Sequence, residues 1–170
     1  MQTKKIRLFN IANGLTFLNI VGGMTAIYFA LQQDYTFSAV ALLFCALLDT
    51  FDGAVARKLS LESDFGAELD SLADMAAFAV APFVVLVTYY DSTLLTVCAG
   101  LIPLVGAYRL ARHNINAKAL RGYVLGLPIG ASAVLTALLI FTNQSTGMAC
   151  IGVGLLLLGY CLRIPVKKRL

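Results

Sequence analysis

Most of the acidic residues of this chain lie in one short stretch. Seven of its nine Asp and Glu residues fall between positions 49 and 74. Four of the seven form two pairs at helical spacing, Asp49 with Asp52 and Asp70 with Asp74. Side chains three or four residues apart lie on one face of a helix. Each pair therefore predicts two carboxylates that project together from the same helical face.

Carboxylates that converge repel one another unless positive charge lies between them. Their oxygens are hard ligands that suit Mg²⁺, Mn²⁺ or Ca²⁺. The acidic stretch contains no His or Cys, so a zinc site is not indicated. The sequence therefore predicts a site for divalent cations. Its predicted ligands are Asp49, Asp52, Asp70 and Asp74.

The composition decides what kind of protein must hold these acids. Hydrophobic residues make up 59% of the 170 residues, and charged residues only 13%. Soluble domains carry about 25% charged residues, so this chain has too little charge to cover a compact globule with polar surface. A soluble enzyme, a disordered chain and a nucleic-acid-binding module are excluded. We expect an integral membrane protein that lies in a lipid bilayer.

The apolar stretches have the length of membrane-spanning helices, which need about 20 residues each. They do not alternate as the strands of a membrane β-barrel do. Six transmembrane helices are predicted near residues 12–31, 36–56, 66–89, 93–112, 123–142 and 147–164. The expected fold is an all-α integral membrane protein that forms a single domain over residues 1–170.

The basic residues predict how these helices are oriented. Each of the 13 Lys and Arg residues lies at a terminus or beside an even-numbered connection, and the odd-numbered connections have none. Because positive charge marks the cytoplasmic side, both termini and the acid pairs are expected to face the cytoplasm, in the plasma membrane. Residues 1–10 form a juxtamembrane segment, either a short surface helix or an ordinary charged flank.

The acids and their neighbours resemble a known signature. Residues 49–57 read D-T-F-D-G-A-V-A-R, and Gly66, Asp70 and Asp74 follow after an eight-residue spacer. This pattern resembles the signature of the CDP-alcohol phosphatidyltransferase family, D-x-x-D-G-x-x-A-R, eight residues, then G-x-x-x-D-x-x-x-D. All eight fixed positions are filled. Six helices with both termini in the cytoplasm are also similar to that family.

The resemblance implies a role for each matching residue. The four aspartates would hold two ions, Mg²⁺ or Mn²⁺, that bind the pyrophosphate of a CDP-linked lipid. Asp74 would also be the general base that takes the proton of the acceptor hydroxyl. The residues expected to bind the CDP-linked lipid are Asn13, Thr16, Asp49, Asp52, Gly53, Ala56, Arg57 and Gly66. The resemblance also implies a homodimer.

A second group of residues resembles the phosphatidylserine synthase branch of the family. Residues 109–114 read R-L-A-R-H-N and residues 126–128 read G-L-P, where members of that branch often read R-L-A-R-F-N and G-L-P. The first helix, with N-G-L-T-F-L-N at residues 13–19, is similar too. The chain departs from the branch at Ala12, where proline is usual, and at His113.

This second resemblance implies L-serine as the acceptor alcohol and CMP as the released product. An arginine could bind the carboxylate of serine through two hydrogen bonds. Basic residues at these positions also fit the ring of positive charge on the cytoplasmic side. The expected acceptor-binding residues are Arg109, Arg112, Asn114, Lys118 and Arg121. The lipid could carry either diacylglycerol or archaeol tails.

Two alternatives stay open at the level of the sequence. With the same chemistry, glycerol 3-phosphate or an inositol phosphate could be the acceptor, although a dianionic phosphate needs more basic contacts than a carboxylate does. With different chemistry, the chain could be a divalent-cation transporter or a membrane scaffold, because carboxylates in membrane helices also mark ion pathways. The acids lie at only one end of the helices, which favours an interfacial site over a conduit.

Overall fold

A computed structural model of the chain describes residues 11–58, 63–119, 123–124, 126–162 and 164–165. Its helices are α1 (Ile11–Leu31), α2 (Tyr35–Lys58), α3 (Asp64–Asp74), α4 (Ala81–Tyr90), α5 (Thr93–Ala119), α6 (Ala131–Phe141) and α7 (Thr146–Cys161). A π-helical turn, Met75–Val80, joins α3 to α4 without a break. Two short strands, β1 (Tyr123–Val124) and β2 (Ile164–Pro165), pair antiparallel.

Because α3, the π-helical turn and α4 are continuous, the described helices form six segments, which confirms the predicted number. Three segments are long and apolar enough to cross a membrane, namely Asn13–Leu31, Phe65–Tyr90 and Thr93–Asn114. The other three contain shorter apolar helical stretches, Tyr35–Phe51, Ala131–Phe141 and Thr146–Cys161. Many large apolar side chains are exposed along the helices. This exterior fits a membrane-embedded protein.

The fifth segment begins later than predicted. The sequence analysis expected a helix over residues 123–142, whereas α6 begins at Ala131. Gly126 has a φ of 59°, which favours glycine and interrupts a helix, and a proline at 128 disfavours helical backbone in the residue before it. A Cβ at Gly126 would lie 2.5 Å from the carbonyl oxygen of Gly159. The connection therefore passes too close to α7 to carry a side chain there.

Helix α1 lies between the two helices that carry the acid pairs. It packs against α2 on one side and against α3, the π-helical turn and α4 on the other. A Cβ at Gly22 would lie 2.5 Å from Sγ of Cys45 on α2. A Cβ at Gly23 would lie 2.8 Å from Cα of Ala77 in the π-helical turn. Small residues at such contacts let membrane helices approach closely.

The π-helical turn has a cause in the local sequence and is stabilised by a contact with another helix. Pro82 has no N–H, so it cannot donate the usual helical hydrogen bond to the carbonyl oxygen of Phe78, four residues earlier. The hydroxyl of Ser132 on α6, which is fully buried, donates to that oxygen instead. Alongside, the N–H of Ala81 bonds to the oxygen of Ala76, five residues back. The turn begins immediately after Asp74. π-Helical turns frequently occur at functional sites.

We predict that Gly23→Ala lowers the free energy of unfolding by about 1–3 kcal/mol, the usual cost of overpacking. The added methyl would meet the backbone of Ala77, which cannot move aside as the tip of a flexible side chain can. Gly154→Ala is the matched control, because no atom lies within 4 Å of its Cβ position and alanine favours helix. Thermal unfolding of both variants in detergent checks this; an equal loss of stability in both would contradict it.

Candidate active site

Three of the four predicted metal ligands converge in the structure. Asp49 on α2 and Asp70 and Asp74 on α3 each offer a carboxylate oxygen, and these oxygens all lie within 4.8 Å of one another. Asp74 is buried, with 8% of its surface exposed, and the other two are half-buried. The fourth predicted ligand, Asp52, lies on α2, but its side chain is outside the described part of the chain.

The three converging carboxylates fit a divalent cation. They offer only oxygen donors, which Mg²⁺ and Mn²⁺ prefer. Three negative charges at this distance in a half-buried site repel one another, and a bound cation would offset that repulsion. We refer to Asp49, Asp70 and Asp74 as the acid cluster.

The start of α3 brings the acid cluster against α1. Ser63 caps the helix, because its hydroxyl accepts a hydrogen bond of 3.0 Å from the N–H of Gly66. A Cβ at Gly66 would lie 3.2 Å from Oδ1 of Asn13, so glycine is what lets the two helices meet here. Asn13 and Thr16, both predicted to bind the CDP-linked lipid, are buried on α1. The structure thus brings Gly66 and Asn13 together beside the acid cluster.

The acid cluster lies in the wall of a pocket of about 310 Å³. Helix α5 and the residues that precede α6 supply other parts of the lining. The polar lining residues are Asp49, Glu68, Asp70, Ser71, Asp74, Arg109, His113 and Asn114. The volume lies at the lower end of the range usual for small-molecule sites, about 300–1,000 Å³.

The two predicted acceptor-binding arginines of α5 have different surroundings. Arg109 lines the pocket, and its guanidinium carbon lies 5.9 Å from the centre of the Tyr160 ring. Arg112 is outside the described pocket lining. Its Nη2 donates to the carbonyl oxygen of Tyr160 at 3.3 Å, and its guanidinium lies over the ring of Tyr108. The structure therefore brings Arg109 to the acid cluster and turns Arg112 towards α7.

Asn114, the third predicted acceptor-binding residue, ties α5 to α3. Its Nδ2 donates to Oγ of Ser71 at 3.0 Å, and both residues line the pocket. The sequence analysis missed Ser71 and also Glu68, another residue of the lining. Both belong to the helix that carries Asp70, and they are three residues apart. That spacing was the only signal in the sequence that they share a face.

Several predicted residues lie outside the described part of the chain. For some of them the helical backbone is described but not the side chain; these are Gly53, Ala56, Arg57 and Lys118. Arg121 and the juxtamembrane segment 1–10 are not described at all. Their roles stay predictions.

Comparison with known proteins assigns the class. The sequence profile of the CDP-alcohol phosphatidyltransferases matches residues 9–163, nearly the whole chain. The matched residues include both the acid cluster on α2 and α3 and the pocket lining on α5. Both therefore belong to one family domain. The chain belongs to the CDP-alcohol phosphatidyltransferase family.

Three of the individual proteins similar to this chain share one name. A protein of Methanocaldococcus jannaschii named CDP-diacylglycerol–serine O-phosphatidyltransferase is 41% identical over 130 residues, 76% of this chain and 59% of its own length. Proteins with the same name are 36% identical in Mycobacterium leprae, over 97% of this chain and 60% of their own length, and 36% identical in Bacillus subtilis, over 75% and 73%. The chain spans about three fifths of the first two relatives.

We predict that Asp70→Asn weakens Mn²⁺ binding at least about tenfold. Two unit charges 4 Å apart interact by about 4 kcal/mol near a protein surface, which exceeds the 1.4 kcal/mol that a tenfold change requires. Glu68→Gln is the matched control, since it removes the same charge from the same pocket but from outside the acid cluster. Titration of purified protein with Mn²⁺, followed by electron paramagnetic resonance, checks this. An equal loss in the two variants would contradict a site centred on the acid cluster.

Proposed function

We propose that this chain transfers a phosphatidyl group from a CDP-linked lipid to the hydroxyl of L-serine and releases CMP. The observation that carries the proposal is the convergence of Asp49, Asp70 and Asp74 in a pocket that Arg109 also lines. The names of the relatives support serine as the acceptor. The lipid tails, diacylglycerol or archaeol, would meet the apolar surfaces of the helices.

In this proposal the acid cluster, together with Asp52, holds two divalent cations, Mg²⁺ or Mn²⁺. Bound there, they supply positive charge that offsets the charge of the pyrophosphate and of the departing CMP. Asn13 and Thr16 on α1, with Gly66 on α3, border the part of the site that receives the CDP group. Gly53, Ala56 and Arg57 complete that part from α2.

Asp74 is the proposed general base. Its carboxylate takes the proton of the serine hydroxyl, and the serine oxygen attacks the phosphorus that carries the lipid. A new oxygen–phosphorus bond forms as the bond from that phosphorus to CMP breaks. The position of Asp74 supports this assignment, because its carboxylate is buried in the wall of the pocket beside those of Asp49 and Asp70.

Arg109 is the proposed partner of the serine carboxylate. A guanidinium can donate two parallel hydrogen bonds to a carboxylate, and of the two described arginines of α5 it is Arg109 that lines the pocket. The hydrogen bond between Asn114 and Ser71 holds α5 against α3, which keeps this guanidinium beside the acid cluster. Arg112, Lys118 and Arg121 are proposed to add positive charge at the edge of the acceptor site, while Arg109 makes the direct contact with the carboxylate.

The alternative acceptors fit the pocket less well. Glycerol 3-phosphate and inositol phosphates carry a dianionic phosphate. Among the described lining residues, Arg109 is the only lysine or arginine, which matches a single carboxylate better. The transporter hypothesis is disfavoured because the three carboxylates converge in one pocket rather than forming a series along the length of the helices. We also propose that the site faces the cytoplasm from the plasma membrane, that both termini lie on that side, and that the protein is a homodimer.

The reaction is tested by measuring CMP release from CDP-diacylglycerol with Mn²⁺ and purified protein in detergent. Serine, glycerol 3-phosphate and inositol 1-phosphate are compared, and we expect release with serine alone. Release with another acceptor instead would overturn the choice of serine but keep the reaction class. Absence of release with all three, and with CDP-archaeol as the lipid, would overturn the reaction.

We predict that Asp74→Asn abolishes CMP release, because an amide cannot take the proton of the hydroxyl. The variant should unfold at a temperature no lower than that of the native protein, since asparagine has nearly the same shape and removes one of the three charges that repel one another. CMP release in the presence of serine, measured beside thermal unfolding, checks this. Turnover at the native rate would remove Asp74 from the role of base.

We predict that Arg109→Lys raises the KM for serine on the order of tenfold, because lysine cannot reproduce a two-bond contact with a carboxylate. Arg112→Lys should change the KM less, since the guanidinium of Arg112 is already bonded to the carbonyl of Tyr160. Initial rates of CMP release over a range of serine concentrations check both. A larger effect at Arg112 would reverse the order of the two arginines in the acceptor site.

A further inference from the structure

One polar side chain of α1 is buried and has no assigned role. Asn19 is 0% exposed, and neither its Nδ2 nor its Oδ1 has a hydrogen-bond partner among the described residues. A buried amide without a partner is unfavourable, and native structures rarely keep one without a reason. The surroundings of Asn19 indicate what that reason is.

Two contacts give the register of α1 against α3 and the π-helical turn. Asn13 meets Gly66, and ten residues later Gly23 meets Ala77, eleven residues after Gly66. The two helical segments therefore run parallel, and equal numbers of residues cover nearly the same length of each segment. Asn19, six residues after Asn13, lies level with the residues six and seven positions after Gly66.

Those positions fall between two members of the acid cluster. Asp70 is four residues after Gly66, and Asp74 is eight. Because helical side chains tilt towards the N-terminus of their own helix, the carboxylate of Asp74 leans back towards the level of Asn19. The amide and this carboxylate are thus at nearly the same depth.

The register of α1 against α2 brings the third carboxylate to the same place. Ser38 donates to the carbonyl oxygen of Ala26 at 2.8 Å, and Cys45 donates to that of Asn19 at 3.6 Å, so these helices run antiparallel. Asp49 is one turn beyond Cys45. Its side chain tilts back towards the N-terminus of α2, which is towards the level of Asn19.

The direction of the Asn19 side chain agrees with its depth. Successive residues of an α-helix are rotated by about 100°. Gly22 faces α2 and Gly23 faces the π-helical turn that continues α3. Asn19 precedes them by three and four residues, so it points between them, about 60° from one and about 40° from the other. That direction is the seam between α2 and α3, where the acid cluster converges.

We propose that Asn19 is a positioning residue of the metal site: its amide is without a partner among the described residues, and it donates to a carboxylate of the acid cluster when a divalent cation binds and reorients the cluster. A neutral donor suits this place, because a lysine or arginine would compete with the cation for the same carboxylates. Groups that hydrogen-bond metal-binding carboxylates commonly set the affinity of the site. The inference rests on the divalent-cation part of the proposed function and is independent of serine as the acceptor.

The test replaces Asn19 with leucine, which has nearly the same shape and no hydrogen-bonding group. We expect Asn19→Leu to weaken binding of Mn²⁺ alone by about tenfold or more, measured by electron paramagnetic resonance in detergent. Its unfolding temperature without added metal should not fall, because the amide makes no hydrogen bond that the leucine would remove. If the role of Asn19 were purely structural, Asn19→Leu would lower the unfolding temperature and leave Mn²⁺ binding unchanged.

Thr136→Val is the matched control. Thr136 on α6 is buried, and its hydroxyl has no partner among the described residues. The variant removes the same kind of group from elsewhere in the core, and its Mn²⁺ affinity should equal that of the native protein. Asn19→Ala is measured in parallel, so that a poor fit of the leucine does not decide the result.

The outcomes separate this inference from the proposed function. If the native protein does not bind Mn²⁺, the cation part of the proposed function is wrong and the role of Asn19 is wrong with it. If the native protein binds Mn²⁺ and a folded Asn19 variant binds it equally well, only the role of Asn19 is overturned. An equal loss of affinity in Thr136→Val would also overturn it, because the effect would then belong to the core in general.

Discussion

The repulsion between the three carboxylates of the acid cluster is the constraint on which the rest of the structure depends. Their oxygens lie within 4.8 Å of one another, and each charge has given up part of its contact with water, so the free protein holds them together at a cost. Packing elsewhere must supply the stabilisation. Helix α1 does this, because Gly22 and Gly23 let it approach α2 and the π-helical turn closely. Van der Waals contact along these seams, about one helical turn from the charges, holds the two acid-bearing helices in place.

The other side of the pocket is organised by contacts between helices that are distant in the sequence. Tyr160 of α7 receives a hydrogen bond from Arg112 on its carbonyl oxygen, and its ring lies beside the guanidinium of Arg109. Its hydroxyl donates to the carbonyl oxygen of Ile129 at 2.8 Å, in the turn before α6. The hydroxyl of Ser132, three residues after Ile129 and within α6, donates to the carbonyl oxygen of Phe78, which Pro82 leaves without its helical donor. One short stretch before and within α6 thus links the arginines of α5 to the π-helical turn that follows Asp74.

The features of the fold and of the candidate site that can be predicted are those whose signal is local in the sequence. The convergence of Asp70 and Asp74 follows from their helical spacing, and the number of helical segments follows from the apolar stretches. The start of α6 was misplaced because the apolar run passes through Gly126 and Pro128, where local backbone preferences outweigh hydrophobicity. The surroundings of Arg109 and Asn19 could not be predicted, because each depends on the register of helices that meet only in the folded chain.

The division of the pocket between helices bears on how an acceptor would be selected. The acid cluster belongs to α2 and α3, whereas Arg109 and Asn114 belong to α5, so a substitution on α5 alters the charge offered to an acceptor without removing a carboxylate. A zwitterionic acceptor brings one carboxylate and no net charge into a site already crowded with acids. A dianionic phosphate would instead add to the repulsion that the fold already bears. Among the described lining residues, Arg109 is the only lysine or arginine that could offset this added charge. The same electrostatic constraint that calls for cations at the acid cluster therefore also favours an acceptor of low net charge beside it.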